Sequence, residues 1–300
     1  MSLSNSSPCS RLAVSGGAFN PALAVLTYLN GQLDQAHLLL YSASPLAAGS
    51  LAGFLFRITN PKESQSVLVG SREMIFYNPS WAPYVFELLG TFLLCFTLTQ
   101  AAGNDLAHVA VGAILVSQVY VGGNASGANY NPAVTVALWI RFGLAGSRGM
   151  PTEKAISYVL TQCIGAGAAA ALAIILGLPL GAPVSAANPM GSPALLSELI
   201  GTFFLVTSVL QSMTAEDILA GGKEHFGLAI GLSLLAMELT LGSVSGGAFN
   251  PSVGILGIIN NPNTAVLFTA GPFAGGVLAA IVFRVTNASE FRGRELFQLG

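Results

Sequence analysis

Charge is what this chain has least of. Asp, Glu, Lys and Arg make up 8% of its 300 residues, where a soluble domain carries about a quarter. With 53% hydrophobic residues, most of the exterior must face something other than water. The formal net charge of −2 leaves no basic footprint for a nucleic acid. Cys9, Cys95 and Cys163 lack metal-ligand spacing and are too few for a disulfide framework. No nucleophile–base pair, Gly-rich phosphate loop or His/Cys/Asp/Glu cluster is legible, so neither an enzyme nor a cofactor is expected. Met1–Arg11 is Ser-rich without an apolar core, so no cleavable signal pattern opens the chain. What remains is an all-α, multi-pass integral membrane protein with the lipid bilayer as its solvent. Whether that is the plasma membrane or an intracellular one is not legible.

Against these absences stand 35 glycines, as expected where membrane helices pack closely, and three Asn-Pro dipeptides. The dipeptides are Asn20-Pro21-Ala22, Asn131-Pro132-Ala133 and Asn250-Pro251-Ser252. Asn is a good helix N-cap and Pro suits the first helical position, so each predicts a helix start. The apolar stretches that follow, Pro21–Leu29, Pro132–Ile140 and Pro251–Ile259, each cover about 14 Å, half a bilayer. Full spans need roughly 20 apolar residues. Candidates are Leu38–Phe56, Pro83–Ala102, Ala107–Gly122, Ala155–Leu176, Ala194–Met213, Phe226–Leu241 and Val266–Val285.

The spans repeat. Phe86-Glu87-Leu88-Leu89-Gly90-Thr91-Phe92 recurs as Ser197-Glu198-Leu199-Ile200-Gly201-Thr202-Phe203. Val111 lies 20 residues before Asn131, and Ile230 lies 20 before Asn250. A unit of span, span, half-helix, span therefore occurs twice. Three spans per unit is an odd number, so the second copy enters the membrane upside down and the half-helices meet at the midplane.

On these residues, about Pro83 to Asn287 resembles an aquaporin of the major intrinsic protein family. Glu87 and Glu198, the Asn-Pro motifs, Tyr158, Gln162 with Gly165-Ala166, and Gly271-Pro272 with Gly275-Gly276 carry the likeness. The resemblance implies an inverted repeat of six transmembrane helices plus two re-entrant half-helices. It also implies a homotetramer with one pore per subunit, water and small neutral solutes as its passengers, and both ends of the core in the cytoplasm.

The first sixty residues look like the tail of another copy, an extra half-helix and one span. Val14–Pro21 is identical to Val244–Pro251, and Phe56-Arg57-Ile58-Thr59-Asn60 echoes Phe283-Arg284-Val285-Thr286-Asn287. The organisation read is a partial repeat at 1–60, a linker at 61–82, a complete channel at 83–290 and a cytoplasmic tail at 291–300. The partial repeat cannot form a pore. It is read as a remnant of tandem duplication or a truncated gene product, with a plug or dimerising helix as the alternative. The resemblance puts Arg57, Lys62, Arg72, Lys223, Arg284, Arg292 and Arg294 inside and Arg141, Arg148 and Lys154 outside.

In such a pore Asn131 and Asn250 donate amide N–H groups to passing solutes. Carbonyls of the extended approaches Gly122–Tyr130 and Gly242–Phe249 accept, apolar walls face them, and the half-helix N-termini disfavour protons and cations. The resemblance makes Glu87, Glu198 and Gln162 braces for these loops. His108 and His225 read as interfacial. Counting from the asparagines, the filter positions fall on Val111, Glu238, Gly247 and Val253. The family usually has an aromatic at the first, often a His at the second, and Arg at the last. Val253 removes a donor and a positive charge, and Val111 widens the constriction. The expected function is a passive channel for water, glycerol or urea-like solutes with a relaxed, arginine-free filter. The alternatives are a poorly conducting scaffold or adhesion protein and an ammonium or cation pathway using Glu238. The bland reading of Glu238 is a bracing contact.

Overall fold

Asn-Pro starts a helical turn at all three places. The computed structural model describes residues 19–60, 80–144, 149–178, 180, 192–215, 225–254, 262–288 and 291. Asn20 Oδ1 accepts from Ala22 N at 2.9 Å, Asn131 Oδ1 from Ala133 N at 2.8 Å, and Asn250 Oδ1 from Ser252 N at 3.0 Å. Each asparagine thus satisfies a donor that the first helical turn would otherwise leave open.

The chain divides into two compact units, Met1–Pro79 and Ser80–Gly300. In the first, α1 (Pro21–Leu29) packs on α2 (Gln35–Thr59). Asp34 caps α2 by accepting from His37 N at 2.8 Å, which holds its carboxyl below the usual carboxylate range. Phe19, at the motif position of Phe249, is 85% exposed here, whereas Phe249 is fully buried.

The second unit holds α3 (Ala82–Ala101), α4 (Ala107–Gly122), α5 (Pro132–Leu144), α6 (Thr152–Ile175), α7 (Ser192–Thr214), α8 (Phe226–Ser245) and α9 (Pro262–Thr286). No strand occurs among the described residues. Six described helices are long and apolar enough to cross a membrane: α2, α3, α6, α7, α8 and α9. With 16 residues, α4 covers about 24 Å, a little short of the hydrocarbon core. It is the sixth span of the second unit. The half-helix α5 runs to Leu144, past the expected end at Ile140. The other half-helix is described only as far as Gly254, so its expected course to Ile259 lies outside the described residues.

The repeat is visible in the packing. In the first half α3 packs on α6, and in the second α7 packs on α9. Gly165 lets the Leu88 carbonyl approach, since an added Cβ would stand 2.6 Å from that oxygen; Gly275 does the same for Leu199. The halves meet where α4 crosses α8. There a Cβ on Gly112 would lie 2.7 Å from Leu235 Cβ, and one on Gly231 2.9 Å from Gly112 O. Glycines on both sides bring the backbones together, as in membrane helix pairs generally.

Sidedness needs one correction. Arg141 lies in α5 rather than in a loop, and it is buried. Its Nε donates to Thr214 Oγ1 at 3.2 Å and its Nη2 to Thr214 O at 3.1 Å. The guanidinium also stacks 5.2 Å from the Phe283 ring, next to Arg284. Trp139 of α5 donates to Thr152 at the start of α6, beside Lys154. Arg141 and Lys154 therefore share a membrane face with Arg284. A half-helix returns to the side it came from, so the residues that follow it stay on the side of Arg284 and not opposite it. The described Lys and Arg of this unit, Arg141, Lys154 and Arg284, all lie on that one face.

Arg141→Met removes two hydrogen bonds from a buried cation, worth about 1.5–3 kcal/mol each. The melting temperature of purified protein should fall by roughly 6 °C or more, given 2–4 °C per kcal/mol at this size. An unchanged thermal melt in detergent would refute the assignment.

Candidate functional site

Two loops descend to the asparagines, and each needs backbone conformations that L-residues avoid. Ala128 and Tyr130 have φ of 51°, and Phe249 has φ of 44°. Such a conformation costs of order 1–3 kcal/mol per residue unless surroundings over-determine it. The surroundings are two buried glutamates. Glu87 of α3 accepts from Asn129 N at 2.9 Å, Tyr130 N at 2.7 Å and Gln162 Nε2 at 2.8 Å. Glu198 of α7 accepts from Ala248 N at 3.1 Å, Phe249 N at 2.7 Å and Ser245 Oγ at 2.7 Å. The motif-end rings lie over glycines: a Cβ on Gly90 would overlap Tyr130, and one on Gly201 would overlap Phe249. Tyr130 and Tyr158 then tie the first loop through their hydroxyls, to Gln118 O at 2.9 Å and Ser126 O at 2.8 Å.

The approaches are less extended than expected. α8 continues to Ser245, and residues 123–126 form turns, so Gly242–Ser245 and the start of the first approach are not open strands of carbonyls. The irregular backbone begins at Gly127 and Gly246, both with positive φ, 91° and 99°.

At the midplane the loops are stitched together. Asn131 Nδ2 donates to Phe249 O at 2.8 Å, and Asn250 Nδ2 donates to Tyr130 O at 2.9 Å. An amide nitrogen carries two hydrogens, so each asparagine keeps a second N–H after this exchange. Both line a cavity of about 20 Å³, enough for one water molecule. Asn129 is its third polar wall residue; the rest is apolar, with Leu94, Leu115, Leu205 and Leu234 prominent. Asn129 was not singled out in the sequence, since nothing local distinguishes it from a turn residue. Its side chain donates to Thr135 Oγ1 at 3.1 Å, which also receives Gln162 Nε2 at 2.9 Å.

The four counted filter positions are all buried: Val111, Glu238, Gly247 and Val253. Val134 and Ile230, which occupy the matching repeat positions of Val253 and Val111, line the midplane cavity. Gly247 (φ 68°) lies against Glu238, where an added Cβ would meet its Cγ at 3.2 Å. Glu238 differs from the two bracing glutamates in contacting no loop N–H among the described residues. Its Oε2 lies 3.1 Å from His108 Nδ1, and its buried Oε1 has no hydrogen-bond partner there. His108 is thus more than an interfacial residue; it is drawn to a carboxyl group 130 positions away. His225 sits exposed just before α8 without a capping bond, where the sequence placed it.

A family model described as major intrinsic protein matches residues 97–283. Aquaporin AqpM of Methanothermobacter marburgensis is 28% identical over 242 residues, covering 67% of this chain and 95% of that protein. Glycerol uptake facilitator protein-like 6 of Lactiplantibacillus plantarum is 31% identical over 222 residues, covering 69% and 99%. The X-ray structure of the aquaglyceroporin from Plasmodium falciparum matches with a TM-score of 0.55 at 23% identity, over 74% of this chain and all of that one. At that identity the structural likeness speaks to the fold.

Proposed function

The chain belongs to the major intrinsic protein family, and on that premise we propose that it is a passive transmembrane channel for water and small uncharged solutes. It is an integral, multi-pass membrane protein and not an enzyme. The observation that carries the proposal is the pair of asparagines at a water-sized, otherwise apolar cavity, each with one N–H left after cross-linking the loops. A solute oxygen arriving there exchanges a bulk hydrogen bond for one from Asn131 or Asn250. The half-helix N-termini contribute about half a positive charge each, which disfavours a proton or cation at that point. Names among the relatives, aquaporin and glycerol uptake facilitator, agree with water and glycerol as passengers.

In this reading Val111, Glu238, Gly247 and Val253 form the selectivity filter, relaxed because it lacks an arginine. Residues 83–290 are the channel, working as a homotetramer, and 291–300 are its cytoplasmic tail. Residues 1–60 are a partial repeat joined by the linker 61–82. Introducing Val253→Arg puts a long cation into the constriction. Glycerol permeability should fall at least about tenfold relative to water, the scale of excluding a solute by size and an unmatched donor. Equal losses of both fluxes, measured by stopped-flow light scattering, would contradict that placement.

A second reading has one observation in its favour: the unpartnered Glu238 oxygen in a mouth without Arg could draw ammonium or another cation. Swelling and current separate the two. Proteoliposomes should swell faster than protein-free vesicles while planar bilayers carry no voltage-driven potassium or ammonium current. Current without enhanced swelling would replace the first reading by the second. Neither would leave a scaffold.

A further inference from the structure

We propose that His108 is a fifth filter residue, and that with Glu238 it forms one polar station selecting solutes rich in hydrogen-bond donors. The inference rests on the channel reading and deepens it. Two side-chain rows lead from the midplane cavity to the station. On α8 the row is Ile230, Leu234 and Glu238, spaced by four residues, and the first two line the cavity. On α4 it is Leu115, Val111 and His108, and Leu115 lines the cavity. At 1.5 Å per residue, Glu238 stands about 6 Å and His108 about 10 Å beyond the cavity wall. The rows converge, because His108 Nδ1 and Glu238 Oε2 lie 3.1 Å apart. Gly242 makes room for the imidazole, since a Cβ there would meet His108 Cε1 at 3.0 Å. With its side chain 38% exposed, His108 faces the mouth, whereas Glu238, 3% exposed, faces inward.

The chemistry of the station follows from what surrounds it. Val111 and Val253 offer no hydrogen bond, and Gly247 offers no side chain. His108 holds one carboxyl oxygen of Glu238 and leaves Oε1 buried without a partner. A buried acceptor left bare is unfavourable until a donor arrives. The filter therefore presents an acceptor where an arginine would present donors. Polyols and urea-like amides, which donate through several O–H or N–H groups, fit it. Small solutes that only accept do not.

Few other charges compete. Among the described residues of this unit the Lys and Arg lie at the opposite face, and Asp105, exposed in the turn before α4, is the other acid near this mouth. From α7, Glu198 acts on Glu238 electrostatically, with its own oxygens taken by Ser245, Ala248 and Phe249. From α4, His108 is the group in contact. Its Nδ1 holds Oε2 in place, so that Oε1 is the oxygen left for a solute. The ratio of glycerol to water flux should therefore depend on both side chains together.

The test is stopped-flow flux of water, glycerol and dimethyl sulfoxide, which only accepts hydrogen bonds, through proteoliposomes of the full chain. In His108→Leu and in Glu238→Leu the glycerol-to-water ratio should drop about two- to tenfold, the worth of one net hydrogen bond. The double variant should match the single ones, and His108→Gln, which can still donate to Oε2, should restore most of the ratio. His225→Gln, at the start of α8 and away from the station, should behave as wild type does. A wild-type ratio in His108→Leu would overturn the proposal, as would additive effects in the double variant. So would a wild type that passes dimethyl sulfoxide as readily as glycerol, which decides the matter even if a variant fails to assemble. Wild-type vesicles that pass neither water nor glycerol would overturn the channel reading along with the station; conducting vesicles without the preference for glycerol overturn the station alone.

Discussion

Glu198→Ala should yield a protein that cannot be recovered as a monodisperse species in detergent. Three buried donors, Ser245 Oγ, Ala248 N and Phe249 N, converge on that carboxyl group. Without it each loses its partner at a cost of about 1–3 kcal/mol. Phe249, at φ 44°, is then left in a left-handed conformation without a partner for its N–H. The three together, roughly 3–9 kcal/mol, rival the whole stability of a typical domain. Glu198→Gln keeps one oxygen and sets an NH2 group against the remaining donors, so its loss should be intermediate. The same order is expected at Glu87, where Asn129 N, Tyr130 N and Gln162 Nε2 converge. Size-exclusion profiles and thermal melts of the four variants check it. An alanine variant melting within about 3 °C of wild type, less than 2 kcal/mol at this size, would refute the bracing account.

The second large effect is at the glycines under the rings. A Cβ on Gly90 would overlap the Tyr130 ring, and Tyr130 is fully buried with its hydroxyl bound to Gln118 O. The ring cannot yield without pulling the Glu87-held loop out of place. Gly90→Val should therefore abolish assembly, and Gly201→Val should do so through Phe249. Tyr130→Gly both clears the space and removes the cost of φ 51°. In that background Gly90→Ala should be nearly harmless, with a coupling energy of about 1–3 kcal/mol between the two sites. Additive effects in thermal melts would mean that the ring and the glycine do not bear on one another.

These two predictions show where the sequence was informative. Glu87 and Glu198 stood out because a carboxyl group is costly within an apolar span, so each had to have partners. Asn-Pro spoke for itself through capping chemistry, and the odd number of spans per unit forced the inversion. Other features gave no such signal. His108 meets Glu238 across 130 positions, and neither residue carries a local mark of the other. The sidedness of Arg141 shows in its packing against Thr214 and Phe283, to which its own sequence position gives no pointer. The approach at Gly242–Ser245 is helical rather than extended, because α8 runs on to Ser245 before Gly246 turns into the left-handed region. Phe19 shows the limit of a motif: the same seven residues as Ser245–Pro251 occur at Ser15–Pro21, yet the ring is exposed, and among the described residues of its unit no glutamate is there to receive the motif.

The central claim is a pore whose asparagines keep the single-file water site while its filter, without Arg, is wide and polar. Stopped-flow light scattering of proteoliposomes under osmotic and glycerol gradients tests it most directly. Fast flux of both water and glycerol, well above protein-free vesicles, is the result predicted from Val111, Glu238, Gly247 and Val253. Fast water with no glycerol would contradict it, because the constriction would then be as narrow as that of a filter closed by an aromatic ring and an arginine.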